Sequence, residues 1–360
     1  MSNILYEFAE KVNKLEANGR KIIKLNLGEQ SQPTPKIIIK AGIKSLKAGE
    51  TGYCSGFGEK YLREKIAEVH QTNPENVVVT TGSKISVYSL MKILLERGDN
   101  VIVPSPHWPA YELIAQNIGA EMRFLKTNFE DKWDVNVQKL ESLIDSRTRV
   151  IILTNPSNPT STMISEKNLK EIISLAERKC IYILYDNAYM GLSFKKQENV
   201  ESPNLIKIET FSKGFAMTGW RVGYTICKKE IAEKMLRFNQ ITTSCVPKFV
   251  QRAAFAALEN RGKIQKKMTN ISKKRAAFAS NILKKNNFEF VKPEAGFYVF
   301  PNVKVDGLQF AEKLLEKNIA VVPGAAFGDY NNFVRMSLTE ELPVLEKVLE
   351  EINSVVNSLK

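Results

Sequence analysis

The sequence predicts an α/β fold in two parts. A large domain would hold a mostly parallel, mixed sheet covered by helices, and a smaller α+β domain would be formed by both termini. Three observations point there. The chain has 360 residues, above the roughly 250–300 at which a single core stops growing. Short apolar runs rich in β-branched residues alternate with longer helical stretches, as expected of parallel strands buried on both faces. After Lys229 the pattern turns mainly helical, and towards the end strands and helices mix again.

Residues 76–80, 101–103, 150–153, 181–185 and 205–208 read as strands of the large domain. Between them, 84–97 is helical, with Ile85, Leu90, Ile93 and Leu94 facing the core and Gly98 as the expected left-handed stop. Glu166–Arg178 repeats the spacing with Leu169, Ile172, Ile173 and Leu175. Residues 262–285 contain few helix breakers and form a candidate bridge between the domains. Residues 297–300 and 320–322 read as strands, and 343–359 as a closing amphipathic helix whose proline sits in the tolerant first turn. These elements place the large domain at 40–261, the small domain at 1–39 and 285–360, and an interdomain helix at 262–284.

Hydrophobic residues make up 43% and charged residues 25%, a globular balance that argues against fibre or disorder. No apolar run reaches the roughly 18 residues of a membrane span. Met1-Ser2-Asn3-Ile4 leads to Glu7, Glu10 and Lys11 without an apolar signal segment, so a soluble, cytoplasmic protein is expected. Cys54, Cys180, Cys227 and Cys245 form no CxxC pair, which excludes a disulfide scaffold and disfavours a zinc site. His70 and His107 are the only histidines and read as ordinary residues; no metal site is expected. The net charge of +13 comes from lysines scattered beside glutamates, as in Lys60-Tyr61-Leu62-Arg63-Glu64-Lys65. The basic stretch 263–274 reads as a solvated helix face, so nucleic acid is not an expected partner. Such a charge instead draws anionic substrates towards clefts.

The strongest chemical signal is Thr210-Phe211-Ser212-Lys213-Gly214-Phe215-Ala216-Met217-Thr218-Gly219-Trp220-Arg221-Val222-Gly223. A lysine follows a strand into a Gly-containing loop, and an arginine stands eight positions later. A lysine amine condenses reversibly with an aldehyde cofactor when its pKa is lowered, and the guanidinium fork of Arg221 suits a phosphate dianion. Taken alone, the two also read as surface residues flanking a loop.

With this loop, Thr81-Gly82-Ser83-Lys84, Ser105-Pro106-His107-Trp108, Asn155-Pro156-Ser157-Asn158-Pro159-Thr160, Asp186-Asn187-Ala188-Tyr189, 322–328 and Val334-Arg335-Met336-Ser337 occur in matching order and spacing. Over nearly its whole length the chain resembles the class I aminotransferases, pyridoxal 5′-phosphate (PLP) enzymes of fold type I. The resemblance is closest to the branch of prokaryotic aspartate aminotransferases.

The resemblance implies a PLP-transferase large domain and a role for each matching residue. Lys213 would bind the cofactor covalently and act as general base and acid. Asp186 would pair with the ring nitrogen. Tyr189 and Asn158 would bond the ring oxygen, and Trp108 would stack on the ring and border the substrate. Gly82, Ser83, Lys84, Thr210 and Arg221 would surround the phosphate, joined by Tyr53 from a neighbouring subunit in a homodimer with shared sites. Arg335 and Gly28 would receive the substrate α-carboxylate, to which Asn158 also lies close. By themselves Ser83 is an ordinary helix cap, Trp108 and Tyr53 are core residues, and Asp186 is a capping aspartate.

Two departures stand out. Ser161 replaces a glycine usual in the family and is disfavoured at positive φ, so its loop is expected to differ slightly. Gln30 replaces a commoner proline and is expected to loosen or reshape the mouth of the site.

The implied function is ping-pong transamination between an L-amino acid and a 2-oxo acid, in amino-acid metabolism. Lys84 matches a lysine that reaches the distal carboxylate of acidic substrates, which makes aspartate and 2-oxoglutarate the leading pair. If Lys84 only adds charge near the phosphate, then aromatic, alanine or histidinol-phosphate transamination stays open. A PLP-dependent C–S β-lyase on the same scaffold stays open too.

Overall fold

A glycine that opens one strand of the central sheet lets the candidate site assemble at the sheet's edge. The computed structural model describes residues 4–195 and 199–359. The sequence start Met1-Ser2-Asn3, part of the segment read as lacking a signal peptide, lies outside the described residues, as does Lys360 at the end of the predicted small domain.

The chain begins with α1 (Ile4–Ala17), β1 (Ile23–Lys24), α2 (Lys36–Lys47) and α3 (Lys60–His70). Strand β2 (Val77–Thr80) leads into α4 (Ser83–Leu94), then β3 (Asn100–Ser105), α5 (Ala110–Ile118) and β4 (Glu121–Lys126). Next come α6 (Val137–Ser142), β5 (Thr148–Thr154), α7 (Glu166–Arg178), β6 (Tyr182–Asp186), β7 (Leu205–Thr210) and β8 (Gly223–Ile226). Helices α8 (Lys229–Ile241), α9 (Lys248–Glu259) and α10 (Arg261–Lys285) follow. The last part holds β9 (Tyr298–Val299), α11 (Gly307–Glu316), β10 (Ile319–Ala320), β11 (Val322–Pro323), β12 (Val334–Ser337) and α12 (Leu342–Leu359).

The central sheet has the order β2-β8-β7-β6-β5-β3-β4. Only β8 runs against its neighbours; the other pairings are parallel. Its two faces are covered as continuous apolar strands require. Val78, Ile152, Leu184 and Ile208 pack with Leu90 of α4, Tyr111 of α5 and Met235 of α8. Ile151, Leu153 and Ile183 pack with Leu140 of α6 and Ile172 of α7 on the other side. A separate core joins the two ends of the chain: Phe8 and Val12 of α1 pack with Val299, Phe310, Met336 and α12 residues such as Leu349. There β11, β12 and β9 form a three-stranded antiparallel sheet, and β1 pairs with β10.

The predicted α/β class and mixed, mostly parallel sheet agree with this architecture. Some boundaries differ. Gly98 has the expected positive φ of 93°, but α4 stops at Leu94 because Leu95 is already extended. The single run expected at 320–322 splits into β10 and β11, which pair in different sheets. The lysines at 263, 266, 267, 273 and 274 lie on the exposed face of α10, as a solvated helix face requires.

Candidate active site

The parallel strands deliver their last residues to one edge of the sheet, where ligands of open α/β sheets bind. Thr154 ends β5, Asp186 ends β6 and Thr210 ends β7. All three line a cavity of about 360 Å³. Gly28, Ser83, Lys84, Trp108, Asn158, Tyr189, Lys213, Arg221 and Arg335 line the same cavity. Gly82 lies at its wall against Arg221. Of the residues singled out in the sequence, Tyr53 alone stands apart: it is 86% exposed and does not line the cavity. That exposure corrects its reading as a plain core residue.

At the floor, Asp186 is buried. Its Oδ2 accepts a hydrogen bond from the Tyr111 hydroxyl at 2.7 Å, and Oδ1 accepts one from the Ala188 N–H at 3.0 Å. The Tyr111 hydroxyl also lies 2.8 Å from Thr154 Oγ1. Burial raises the Asp186 pKa, while these hydrogen bonds and the Lys213 ammonium pull it down. A cation placed against this carboxylate would reverse the balance. Tyr111 was not anticipated, since an aromatic residue in the first turn of a helix is ordinary core.

Lys213 lies in the loop after β7, and its ammonium donates to the Gly28 carbonyl. Burial, then the charge of Arg335, lowers its pKa from 10.5 to about 8, with Arg221 pushing the same way. Glu29 and Asp186 oppose that shift. An amine so placed is far more often neutral at physiological pH than an exposed lysine. Gln30, expected to loosen the mouth, is buried instead and donates to the Lys213 carbonyl at 3.4 Å.

One wall is built for an anion. Helix α4 starts at Ser83, and its cap is Gly82, which offers no side-chain acceptor to the first-turn N–H groups. Such a terminus attracts negative charge. This corrects the reading of Ser83 as the cap. Gly82 has φ 89°, and a Cβ there would stand 2.7 Å from a terminal nitrogen of Arg221. Gly223, the first residue of β8, explains the assembly: a Cβ would lie 2.7 Å from the Glu209 carbonyl and 3.0 Å from the Ser83 nitrogen. Glycine at 223 therefore lets the helix terminus seat against the sheet. Arg221 is itself at positive φ, 56°, with its NH1 donating to the Thr218 carbonyl at 2.7 Å. Thr210 Oγ1 and Ser212 Oγ, 2.9 Å apart, complete this wall. Ser212 was not singled out in the sequence, although it sits beside Lys213.

The opposite wall holds a second anion site. Arg335, on β12, is 3% exposed. Its NH1 donates to Asn158 Oδ1 at 2.9 Å and its NH2 to the Asn26 carbonyl at 2.7 Å. Its Nε has no partner, and no carboxylate among the described residues pairs with it. Its guanidinium carbon lies 4.4 Å from the Tyr298 ring centroid. The Tyr298 hydroxyl is 3.0 Å from that of Tyr189. Burial, followed by the Tyr298 neighbour, holds Tyr189 as a neutral phenol. The Tyr298 backbone N–H donates to Ser161 Oγ at 3.1 Å. Ser161 keeps a left-handed φ of 56°, so the loop retains the conformation a glycine would favour instead of changing shape. The hydroxyl contact offsets part of the strain.

At the mouth, Leu5, Tyr6 and Ala9 of α1 line the cavity. The exposed Lys84 donates to the Tyr6 hydroxyl at 3.3 Å and lies 5.1 Å from the Trp108 ring centroid. Elsewhere, His107 is kept neutral, its pKa lowered to about 4 by burial. Among the described residues no cluster of His, Cys, Asp or Glu could hold a metal ion, and no helix is long and apolar enough to cross a membrane.

Comparisons with known proteins agree on one family. The model for "Aminotransferase class I and II" matches residues 20–352. An aspartate aminotransferase of Thermococcus kodakarensis is 36% identical, over 93% of this chain and 88% of its own. A (5-formylfuran-3-yl)methyl phosphate transaminase of Methanocaldococcus jannaschii is 34% identical, over 96% of this chain and 94% of its own. The solved structure of an aspartate aminotransferase from Thermus thermophilus with maleate superposes with a TM-score of 0.94 at 27% identity, covering 99% of this chain and 97% of that one.

Proposed function

Because the chain belongs to the class I and II aminotransferases, we propose that it exchanges an amino group between L-aspartate and 2-oxoglutarate in two half-reactions, with PLP as cofactor. One observation carries this reading: a buried, depressed-pKa amine, Lys213, stands between two separate anion sites in one cavity. A cofactor phosphate and a substrate carboxylate need such a pair of sites with an amine between them.

The residues present fit the cofactor. Gly82 and Ser83 would receive its phosphate on the α4 terminus with Thr210, Ser212 and Arg221, in a cradle that a Cβ at 82 would fill. Asp186 would face the ring nitrogen, Trp108 would cover the ring, and Tyr189 with Asn158 would bond the ring oxygen. Lys213 would hold the aldehyde carbon. When bound, PLP supplies an electron-withdrawing ring that acidifies the Cα proton of the amino acid.

The chain supplies the rest. Arg335 has an unused Nε and a buried charge without a counter-ion, so it binds the α-carboxylate and fixes which bond of Cα faces Lys213. Lys213 Nζ takes the Cα proton and later returns it, as a base with pKa near working pH does best. Tyr6, Leu5 and Ala9 close the mouth against water. Lys84, held at the mouth by the Tyr6 hydroxyl, receives the distal carboxylate of a four- or five-carbon dicarboxylic acid. Tyr53, exposed on its own chain, reaches the phosphate site of a second copy, which makes the enzyme a homodimer with shared sites. Residues 40–261 act as the cofactor-binding domain, with 1–39 and 285–360 closing over it and 262–284 bridging the two.

Replacing Lys213 with alanine tests the core of the proposal. The variant should lose the absorption band that PLP gives when held by the wild-type protein, and transamination in an amino-donor panel should fall to background. Sustained multiple-turnover transamination by the variant would defeat the assignment. A panel in which aspartate is not preferred would defeat only the substrate.

A further inference from the structure

Two thiols far apart in sequence meet outside the cavity. Cys54 lies between α2 and α3, and Cys245 between α8 and α9, 191 positions later. Both are half-buried and reduced. The Cys54 N–H donates to Cys245 Sγ at 3.4 Å, which sets the second sulfur against the backbone that carries the first. The Cys54 thiol also donates to the Val246 carbonyl at 3.4 Å.

The loops that carry the sulfurs are fixed to one another. Gln251 is fully buried. Its amide donates to the Val246 carbonyl at 2.7 Å and to Cys54 Sγ at 3.2 Å, while its oxygen accepts the Glu59 N–H at 2.7 Å. Asn239, at the end of α8, donates to the Gly56 carbonyl at 2.8 Å. A buried amide therefore ties Cys54 to the backbone next to Cys245, and both thiols stay half-buried, open to a small oxidant.

We propose that Cys54 and Cys245 are a redox modification site that closes into an intramolecular disulfide, with a peroxide as oxidant. In the first step Cys245, as thiolate, attacks one peroxide oxygen. The O–O bond breaks, hydroxide leaves and is protonated to water, and Cys245 becomes a sulfenic acid. Cys54 then gives up its proton and attacks that sulfur. The S–S bond forms as the S–O bond breaks, and the second oxygen leaves as water. The two thiols together lose two electrons and the peroxide gains them. A dithiol reductant reverses the change. The product ties the loop before α3 to the loop before α9.

The test treats the cofactor-loaded protein with one equivalent of hydrogen peroxide and follows it by non-reducing mass spectrometry. Most chains should lose the mass of two hydrogen atoms and yield one cross-linked peptide pair containing residues 54 and 245. Dithiothreitol should restore the mass. The cross-link should vanish in Cys54→Ser and in Cys245→Ser and persist in Cys180→Ser. A bond between two chains, a linkage through Cys180 or Cys227, addition of two oxygens at either thiol, or no reaction at all would each overturn the proposal.

Discussion

Two buried arginines sit in regions of similar burial and opposite chemistry. Arg275, inside α10, is 4% exposed; it pairs with Glu341 at 2.7 Å and donates to Ser31 at 3.1 Å. Arg335, on β12, is 3% exposed and has neutral partners, an idle Nε and no carboxylate among the described residues. A charge withdrawn from water is costly without a counter-ion. The first region carries that cost inside the fold. The second leaves it standing until an anion arrives, so a deficit in the folded chain marks where a ligand belongs.

The sharpest way to break this contrast is to remove each guanidinium in turn. Arg335→Leu should lower kcat/KM for amino acids by about 10²–10⁴-fold, from two lost charged hydrogen bonds of roughly 1.5–3 kcal/mol each. The melting temperature of the cofactor-free protein should hold or rise. A matching fall in stability would show that Arg335 is structural. Arg275→Leu should do the reverse: kcat within about twofold of wild type, and unfolding easier by about 1–2 kcal/mol in denaturant titration. Equal losses of activity in both variants would erase the distinction.

A third measurement uses pH. Burial lowers the Lys213 pKa from 10.5 to about 8, so the folded protein releases this proton more readily than the unfolded chain. In cofactor-free protein the resulting penalty is present in full below about pH 8 and is relieved as pH rises towards 10.5. Stability should therefore climb across that window, and Lys213→Met should flatten the climb; parallel curves would show that the lysine keeps its ordinary pKa. The smallest effect belongs to the mouth, where contacts are exposed and screened. Lys84→Gln should reduce the preference for aspartate over alanine about tenfold, or roughly 1.4 kcal/mol, with little change for alanine itself. An unchanged ratio would remove Lys84 from substrate selection.

Much of the fold was legible because period and element type agree in this chain. Glu166–Arg178 was read to its boundaries, since its four spaced apolar residues act locally, and the Ser165 side chain caps its first turn. The strand β8 was not read, because four residues starting with glycine give little alternation to detect. In the candidate site, the residues in compact motifs were visible beforehand, and the structure brings Lys213, Asp186, Asn158, Tyr189, Arg221 and Arg335 to one cavity. Tyr111, Ser212 and Tyr298 were not visible as site residues. Tyr111 and Tyr298 lie in a helix and a strand where an aromatic residue is ordinary core, and only tertiary packing turns their hydroxyls towards Asp186 and Tyr189. The meeting of Cys54 with Cys245 was hidden by their separation, since spacing along a chain says nothing about loops that a buried glutamine joins.

The single reversed strand has a further consequence. Because β8 returns antiparallel to β7, the chain that leaves the sheet after Thr210 comes back at the same rim, and the segment carrying Lys213 and Arg221 never crosses a face. Its base is nevertheless packed, because Phe211, Phe215, Met217 and Val222 share a core with Ile38 of α2, Leu62 of α3 and Val250 of α9. The overhang thus carries its two reactive cations on an apolar footing, so that their positions are set by side-chain packing and by one pair of neighbouring strands, with no crossover helix between them.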